Sequence, residues 1–111
     1  SCQEPGCIDI AQVIEFIGSR YASVTLEETA EHFGYTPRSM IRFLKKYTHS
    51  TFRSIVQGLR LKQAAAFLKD SDKSIDEIAA AIGYSDRSYF HKLFREHYGM
   101  TPVEYRQKCR Q

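Results

Sequence analysis

Residues Thr25–Ser39 read TLEETAEHFGYTPRS, and residues Ser74–Ser88 repeat that stretch as SIDEIAAAIGYSDRS. The offset is 49 residues up to Ser39 and then 50, and the match continues to Thr51 and Thr101. Each copy is typical of a short helix, a tight turn at glycine and a second helix rich in basic residues. This pattern predicts two helix-turn-helix motifs within one small chain.

The sequence around the repeat indicates further helices and no strand. Helix caps and apolar periodicity predict seven helices, of which the first covers about Asp9–Arg20 and the long fourth about Thr51–Lys69. The seventh begins at Thr101-Pro102 and runs to about Lys108. We therefore expect an all-α fold in which two helix-turn-helix lobes are joined by a long connector helix. The expected divisions are a first lobe at 8–50, a connector at 51–70 and a second lobe at 71–110.

The charges are distributed unevenly along the chain. Residues 1–35 hold six acids and one base, whereas residues 36–111 hold fifteen Lys or Arg and seven acids, so the net charge of +3 hides a strongly basic part. Such a part is suited to binding phosphates, although composition alone fits a solvated cationic face equally well. We expect no membrane span, because no apolar run approaches the ~20 residues that a span needs.

The third predicted helix has an apolar face and a basic face. The apolar side chains recur at helical spacing and are expected in the core: Met40, Phe43, Leu44 and Tyr47. The opposite face carries Arg38, Ile41, Arg42 and Lys45. An arginine fork matches the two acceptors of guanine in the major groove of DNA, so this face is a candidate for reading bases. Lys45 and Lys46, further along the helix, suit phosphate contacts.

The sixth predicted helix repeats this division with a more dilute charge. Its expected core side chains are Phe90, Leu93 and Phe94, and its expected outward side chains are Arg87, Ser88, His91, Lys92 and Arg95. Asp86 and Glu96 lower the positive charge, so we expect weaker or less strict contacts from this lobe. Tyr89 fits two roles equally well, either packing on the neighbouring helix or lying against a thymine methyl group or a sugar.

Five hydroxyl residues stand at the predicted starts of helices: Thr25, Thr36, Ser74, Ser85 and Thr101. Backbone N–H groups are unpaired at a helix start and the helix dipole favours anions there. These residues, together with Lys45, Lys46 and Arg95, are candidate phosphate contacts. For each hydroxyl, capping the helix without touching a ligand is the simpler interpretation.

Catalysis, metal binding and cofactor binding find no support in the sequence. The histidines are scattered, no glycine-rich phosphate loop is present, and the cysteines lack the spacing of a zinc site. Cys2, Cys7 and Cys109 are odd in number and are expected to be free thiols in a cytoplasmic protein. The chain begins with Ser and not Met, so we expect it to be a piece of a longer protein.

The second repeat resembles a known family over a long and specific stretch. Residues Ile75–Arg106, IDEIAAAIGYSDRSYFHKLFREHYGMTPVEYR, are similar to the signature of the AraC/XylS transcription regulators. The run RLKQA at Arg60–Ala64 and the first repeat agree with that family's linker helix and first motif. The resemblance implies a cytoplasmic bacterial regulator that binds double-stranded promoter DNA, contacts RNA polymerase and carries a separate sensing or dimerisation domain.

Carried over by position, the base-reading sites of the family fall on Arg38, Ile41, Arg42, Arg87, Ser88, His91 and Lys92. The chain departs from the family pattern at three of its positions. Ile41 is apolar where polar residues are frequent, and Lys92 replaces a common arginine and loses its fork. His49 stands where the second copy has Gly99, which predicts a strained or differently closed turn.

Two other functions compete with DNA binding. The basic face would equally serve a helical protein-interaction module with acidic partners. An enzyme fragment that uses the terminal Cys109 is the third alternative, and it requires a thiol of lowered pKa. A DNA-binding domain is distinguished from both by a steep loss of affinity with salt and by displacement with duplex DNA.

Overall fold

The computed structural model describes residues 8–111, which form seven α-helices and no strand. In chain order the helices are α1 (Ile10–Ser19), α2 (Leu26–His32), α3 (Pro37–Thr48), α4 (Phe52–Asp70), α5 (Ile75–Ala81), α6 (Arg87–Tyr98) and α7 (Pro102–Cys109). The all-α fold with two helix-turn-helix motifs and a long fourth helix is confirmed. Cys2 and Cys7 lie outside the described residues.

Reciprocal polar caps begin several of these helices. The Thr25 hydroxyl accepts from the backbone N–H of Glu28 at 3.1 Å, and the Glu28 carboxylate accepts from the backbone N–H of Thr25 at 3.3 Å. Ser74 with Glu77 and Thr101 with Glu104 form the same arrangement at α5 and α7. Each pair satisfies two N–H groups that a helix start leaves open, which explains why these helices begin where they do.

The expectation that Ser85 caps the sixth helix is wrong. Asp86 is the cap, and its carboxylate accepts from the backbone N–H of Ser88 at 2.9 Å. In the first copy Pro37 is fixed as the first helical residue, so Thr36 must be the cap. The second copy has Asp86 in place of that proline, and aspartate is itself a strong cap, so α6 begins one residue later.

The turns inside the two motifs have the same backbone hydrogen bonds. At the end of α2 the Gly34 N–H donates to the Glu31 carbonyl at 3.1 Å and the Tyr35 N–H donates to the Ala30 carbonyl at 2.8 Å. The end of α5 repeats both bonds around Gly83. Gly34 and Gly83 have φ of 73° and 100°, a region in which a side chain is strained, so both turns need glycine.

The predicted strain at His49 is present in the structure. His49 ends α3 with φ of 58°, as Gly99 ends α6 with φ of 76°. Each residue's N–H still donates to the carbonyl four residues earlier, at 3.0 Å and 2.8 Å respectively. The two turns therefore close alike, but the first does so with a side chain in a left-handed conformation.

The chain divides into two compact units between Gln57 and Gly58, inside α4. In the first unit α2 packs on α3, and the core side chains are Val13, Phe16, Ile17, Val24, Ala30, Met40, Leu44 and Val56. Phe16 belongs to this core, whereas Ile10 and Ile14 of the same helix are only half-buried.

The second unit builds its core on the C-terminal part of α4. Leu61, Ala64, Ala65 and Leu68 are buried at helical spacing and share the core with Ile78, Ile82, Phe90 and Phe94. Burying each of the two phenylalanines contributes roughly 1.5–3 kcal/mol, so α6 is held firmly by its inner face. Its outer face is then free to carry charge.

Candidate nucleic-acid interface

The outer face of α3 is the first candidate surface. Met40 and Leu44 are fully buried, whereas Arg38, Arg42 and Lys45 are exposed. Ile41 lies on the same face as these cations, with 49% of its surface exposed. The two predicted faces of this helix are therefore present, and an apolar residue lies within the basic one.

Tyr47 does not lie in the core, contrary to expectation. Tyr47 is 52% exposed, and its ring centroid lies 4.8 Å from that of the half-buried Phe43. The Nζ atom of Lys46 lies 5.3 Å from the centroid of the Tyr47 ring. Phe43 packs in turn edge-on against Tyr35 at 5.7 Å. Tyr47 lies near the end of α3, and its helical spacing alone does not place it in the core.

The outer face of α6 is the second candidate surface. Phe90 and Phe94 are buried, while Arg87, Lys92 and Arg95 are exposed. Ser85 and Ser88 are exposed as well, on either side of the Asp86 cap. Leu93, expected in the core, is half-buried. Each unit thus presents basic side chains from the second helix of its motif.

His91 was expected to point outward from α6, but the structure shows it half-buried. Its ring centroid lies 6.4 Å from that of Phe90, and its Nε2 atom is buried without a hydrogen-bond partner. Beside it lies an open groove of about 540 Å³ between α6 and the start of α7, lined by His91, Lys92, Arg95, Glu96 and Thr101. A buried polar atom beside a groove is costly to leave unpaired.

Tyr89 packs within its own unit. Its ring lies edge-on to that of Tyr84, with centroids 5.6 Å apart. Of the two roles that the sequence left open, packing on a neighbouring segment is the one that this contact shows. The half-buried ring is thereby fixed beside the exposed side chains of α6.

The helix starts differ in the charge around them. Thr25, Ser74 and Thr101 each share their cap with a glutamate. Hydrogen bonds from the backbone and side chain of Ser74 hold the pKa of Glu77 below its usual value, and those from Thr101 lower the pKa of Glu104 in the same way. Thr36 is different, because its hydroxyl pairs with Ser39 at 3.0 Å and no acid stands in the first turn.

A further polar contact fixes the end of α4 and was not predicted. Arg106 donates from Nε to the Leu68 carbonyl and from Nη2 to the Ser71 carbonyl, both at 3.1 Å. Arg110 donates to the same Ser71 carbonyl and pairs with Asp72 at 3.0 Å. The partners are separated by 35 residues or more, so only the cluster of bases in α7 could have suggested this contact.

Other kinds of site find little in the described residues. Within residues 8–111 no three His, Cys, Asp or Glu side chains lie together as metal ligands would, and no helix is both long and apolar enough to cross a bilayer. Cys109 is a free, exposed thiol. The basic faces of α3 and α6 therefore remain the candidate site among residues 8–111.

Comparison with known sequences agrees with this geometry. Residues 29–108 match a family described as helix-turn-helix domain, of the AraC type. The chain belongs to the AraC family. Proteins of the AraC family are transcription regulators, and their two-motif domain binds DNA.

Members of the AraC family match across most of the chain. The transcriptional activator RhaS of Mannheimia succiniciproducens is 35% identical over 96 residues, which are 86% of this chain and 36% of that protein. The regulatory protein PocR of Salmonella typhimurium is 40% identical over 83 residues, 75% of this chain and 27% of that protein. The chain thus spans about a third or less of the length of these curated relatives.

A solved AraC-type structure has the same fold. The DNA-binding domain of AdpA, solved in complex with a target DNA, superimposes with a TM-score of 0.83 at 25% identity, covering 91% of this chain and 92% of that one. The two-motif architecture is therefore shared along nearly the whole chain.

Proposed function

We propose that the chain binds double-stranded promoter DNA by placing α3 and α6 in adjacent major grooves, and that it regulates bacterial transcription in this way. The observation that carries the proposal is the matched outer faces of the two helices, each of which presents exposed cations at the same place in its motif. The proposed base-reading residues are Arg38, Ile41, Arg42, Arg87, Ser88, His91 and Lys92. The DNA-bound structure of the AdpA domain supports this use of the fold.

The two units should contact DNA with different strength, because the charges near their second helices differ. The first turn of α3 holds no acid, whereas Asp86 caps α6 with a carboxylate. Arg38 and Arg42 therefore face the duplex without a competing negative charge at their own helix start. We expect the stronger and more sequence-strict contacts from the first unit.

Phosphate contacts are proposed for the residues that flank the base-reading faces. They are Thr25, Thr36, Lys45, Lys46, Ser74, Ser85, Arg95 and Thr101. Among the helix starts Thr36 is the best suited, because a phosphate there would meet the positive end of α3 and no glutamate. At Thr25, Ser74 and Thr101 the capping glutamate opposes an anion, so these contacts should be weaker.

The wider role of the protein is also part of the proposal. We infer that the domain works in the cytoplasm as part of a longer activator, with a separate sensing or dimerisation domain and with RNA polymerase as a protein partner. The greater length of the curated relatives supports the additional domain. The proposed division into lobes at 8–50 and 71–110, with 51–70 between them, assigns one groove to each lobe. No catalytic step and no cofactor is needed for this role.

Selection from a random duplex pool tests the function directly. Bound sequences would be enriched over several rounds, and the affinity of the best one would be measured at several salt concentrations. We expect enrichment of a site with two conserved blocks about one helical turn apart, roughly 10 base pairs, and a steep linear fall of log affinity with log salt.

A competitor separates DNA binding from the protein-interaction alternative. Polyglutamate, at the same charge concentration as the duplex, should displace the domain far less well than the selected DNA. Absence of any enriched sequence, together with equal displacement by polyglutamate and duplex, would reject the proposal in favour of a module that binds acidic proteins.

A further inference from the structure

Asp76 and Arg87 form an ion pair between the two helices of the second motif. Oδ1 of Asp76, in the first turn of α5, lies 3.5 Å from Nε of Arg87, the first residue of α6. We infer that Asp76 is a positioning residue, which orients the Arg87 guanidinium so that it reads one base pair. This inference rests on the proposed function, since it gives Arg87 a base to read.

Stability does not account for this pair. The side chains of Arg87 and Asp76 are 56% and 68% exposed, and ion pairs so open to water contribute little to the free energy of folding. A carboxylate close to the duplex also opposes phosphates and reduces the general affinity for DNA. A contact that adds little stability and weakens general binding is best explained by what it does to the arginine.

The geometry of the pair suits such an orienting role. Asp76 meets the guanidinium at Nε, on its side, and leaves the two terminal nitrogens for the O6 and N7 acceptors of a guanine. Asp86, the other nearby acid, is engaged with the backbone N–H of Ser88 at 2.9 Å. Asp76 is therefore the carboxylate that sets the direction of Arg87.

The first motif provides an internal comparison. By the repeat, Glu27 corresponds to Asp76 and Arg38 corresponds to Arg87. In the part of the chain that the structure describes, no ion pair joins Glu27 to Arg38, whereas Asp76 and Arg87 are paired. An acid at this point in the motif is thus shared by both copies, whereas the contact with arginine belongs to the second.

Asp76→Asn tests the inference on the best duplex selected from the random pool and on a random-sequence duplex. The substitution keeps the side-chain shape and removes its charge. We expect the ratio of selected to random affinity to fall about fivefold, towards the lower end of what one bidentate contact provides, while affinity for the random duplex stays the same or rises. Repeating the selection should show relaxed preference at a single base pair.

Three controls make the result decisive. Glu27→Gln should leave the ratio unchanged, and thermal unfolding should show both variants folded at room temperature. In an Arg87→Ala background Asp76→Asn should have no further effect on the ratio. The positioning role is overturned if Asp76→Asn lowers the ratio of selected to random affinity equally in the Arg87→Ala background. It is also overturned if Asp76→Asn alone leaves the base preference unchanged. Failure of the unsubstituted domain to select any sequence would instead reject the proposed function itself.

Discussion

At the scale of single residues, position along α3 decides what a cation meets. Arg42 lies mid-helix on the exposed face, where a fork can reach base edges, and Lys45 lies nearly one turn later. We expect Arg42→Ala to weaken specific binding by roughly 1–3 kcal/mol and to relax the preference at one base pair. Binding titrations on the selected duplex and on single-base variants of it would measure both effects.

Lys45→Ala is the matched control for this prediction. It should weaken binding to all sequences alike and reduce the slope of log affinity against log salt by about one unit. The paired assignment of Arg42 to a base and Lys45 to a phosphate fails if Arg42→Ala weakens specific and random duplexes equally.

A second prediction at this scale concerns His49 and its strained backbone. With φ of 58° His49 bears a cost that glycine avoids, so His49→Gly should raise the free energy of unfolding by about 0.5–1 kcal/mol. The reverse change, Gly99→Ala, should lower it by about 1 kcal/mol, because a Cβ there meets no atom within 4 Å and only the backbone is strained. Urea denaturation would measure both. A stabilising Gly99→Ala would contradict this account.

At the scale of elements, the capping boxes make the start of α7 sensitive to acid. The pKa of Glu104 is lower in the folded chain than its ordinary value of 4.5, chiefly because its carboxylate accepts the backbone N–H of Thr101. Its contribution to stability is therefore complete above that value and is lost as pH falls through the lowered pKa. Melting temperatures taken from about pH 6 down to about pH 3 should show this loss.

Glu104→Gln isolates the titration from the cap itself. Glutamine can still accept the Thr101 N–H, so the variant should be close to wild type at neutral pH and lose less of its stability in acid. Glu96→Gln on α6, where the acid caps no helix, is the control for the loss of one carboxylate. Parallel acid curves for all three proteins would show that the capping carboxylate is not involved.

The arginine contacts at the end of α4 give the second prediction at this scale. Arg106→Ala removes the side-chain donor to the Leu68 carbonyl and should lower the free energy of unfolding by about 1.5–3 kcal/mol. The Ser71 carbonyl would still accept a hydrogen bond from the Arg110 guanidinium. Arg106→Lys should recover less than half of that, because an ammonium cannot fork between two carbonyls. Chemical denaturation would measure all of these. If Arg106→Lys had the same stability as the unsubstituted chain, the positive charge alone would explain the contribution of Arg106.

At the scale of the whole molecule, the sequence predicted the features that depend on neighbouring residues and missed the contacts between distant ones. Caps and repeat spacing fix the seven helices because their partners lie within four residues. The Arg106 contacts join segments that are far apart in the chain, so no local pattern predicts them. The half-buried His91 was not predicted either, because helical spacing placed it on the outer face. The same limit applies to Tyr47, which has the helical spacing of a core residue but is 52% exposed.

Gly58 is the first residue of the second unit and lies inside α4, and its replacement is the last prediction. A Cβ at Gly58 would meet no atom within 4 Å, so Gly58→Ala should stabilise α4 by up to about 1 kcal/mol and leave binding unchanged.

Gly58→Pro should instead break the helix at the unit boundary, at a cost of about 3 kcal/mol. If each unit keeps its core, a duplex with both blocks should bind at least about tenfold more weakly, because the second contact loses effective concentration. A duplex with one block should bind as before. Footprinting would decide: complete protection at unchanged affinity would show that continuity of α4 is irrelevant, and global unfolding would show that the units are interdependent.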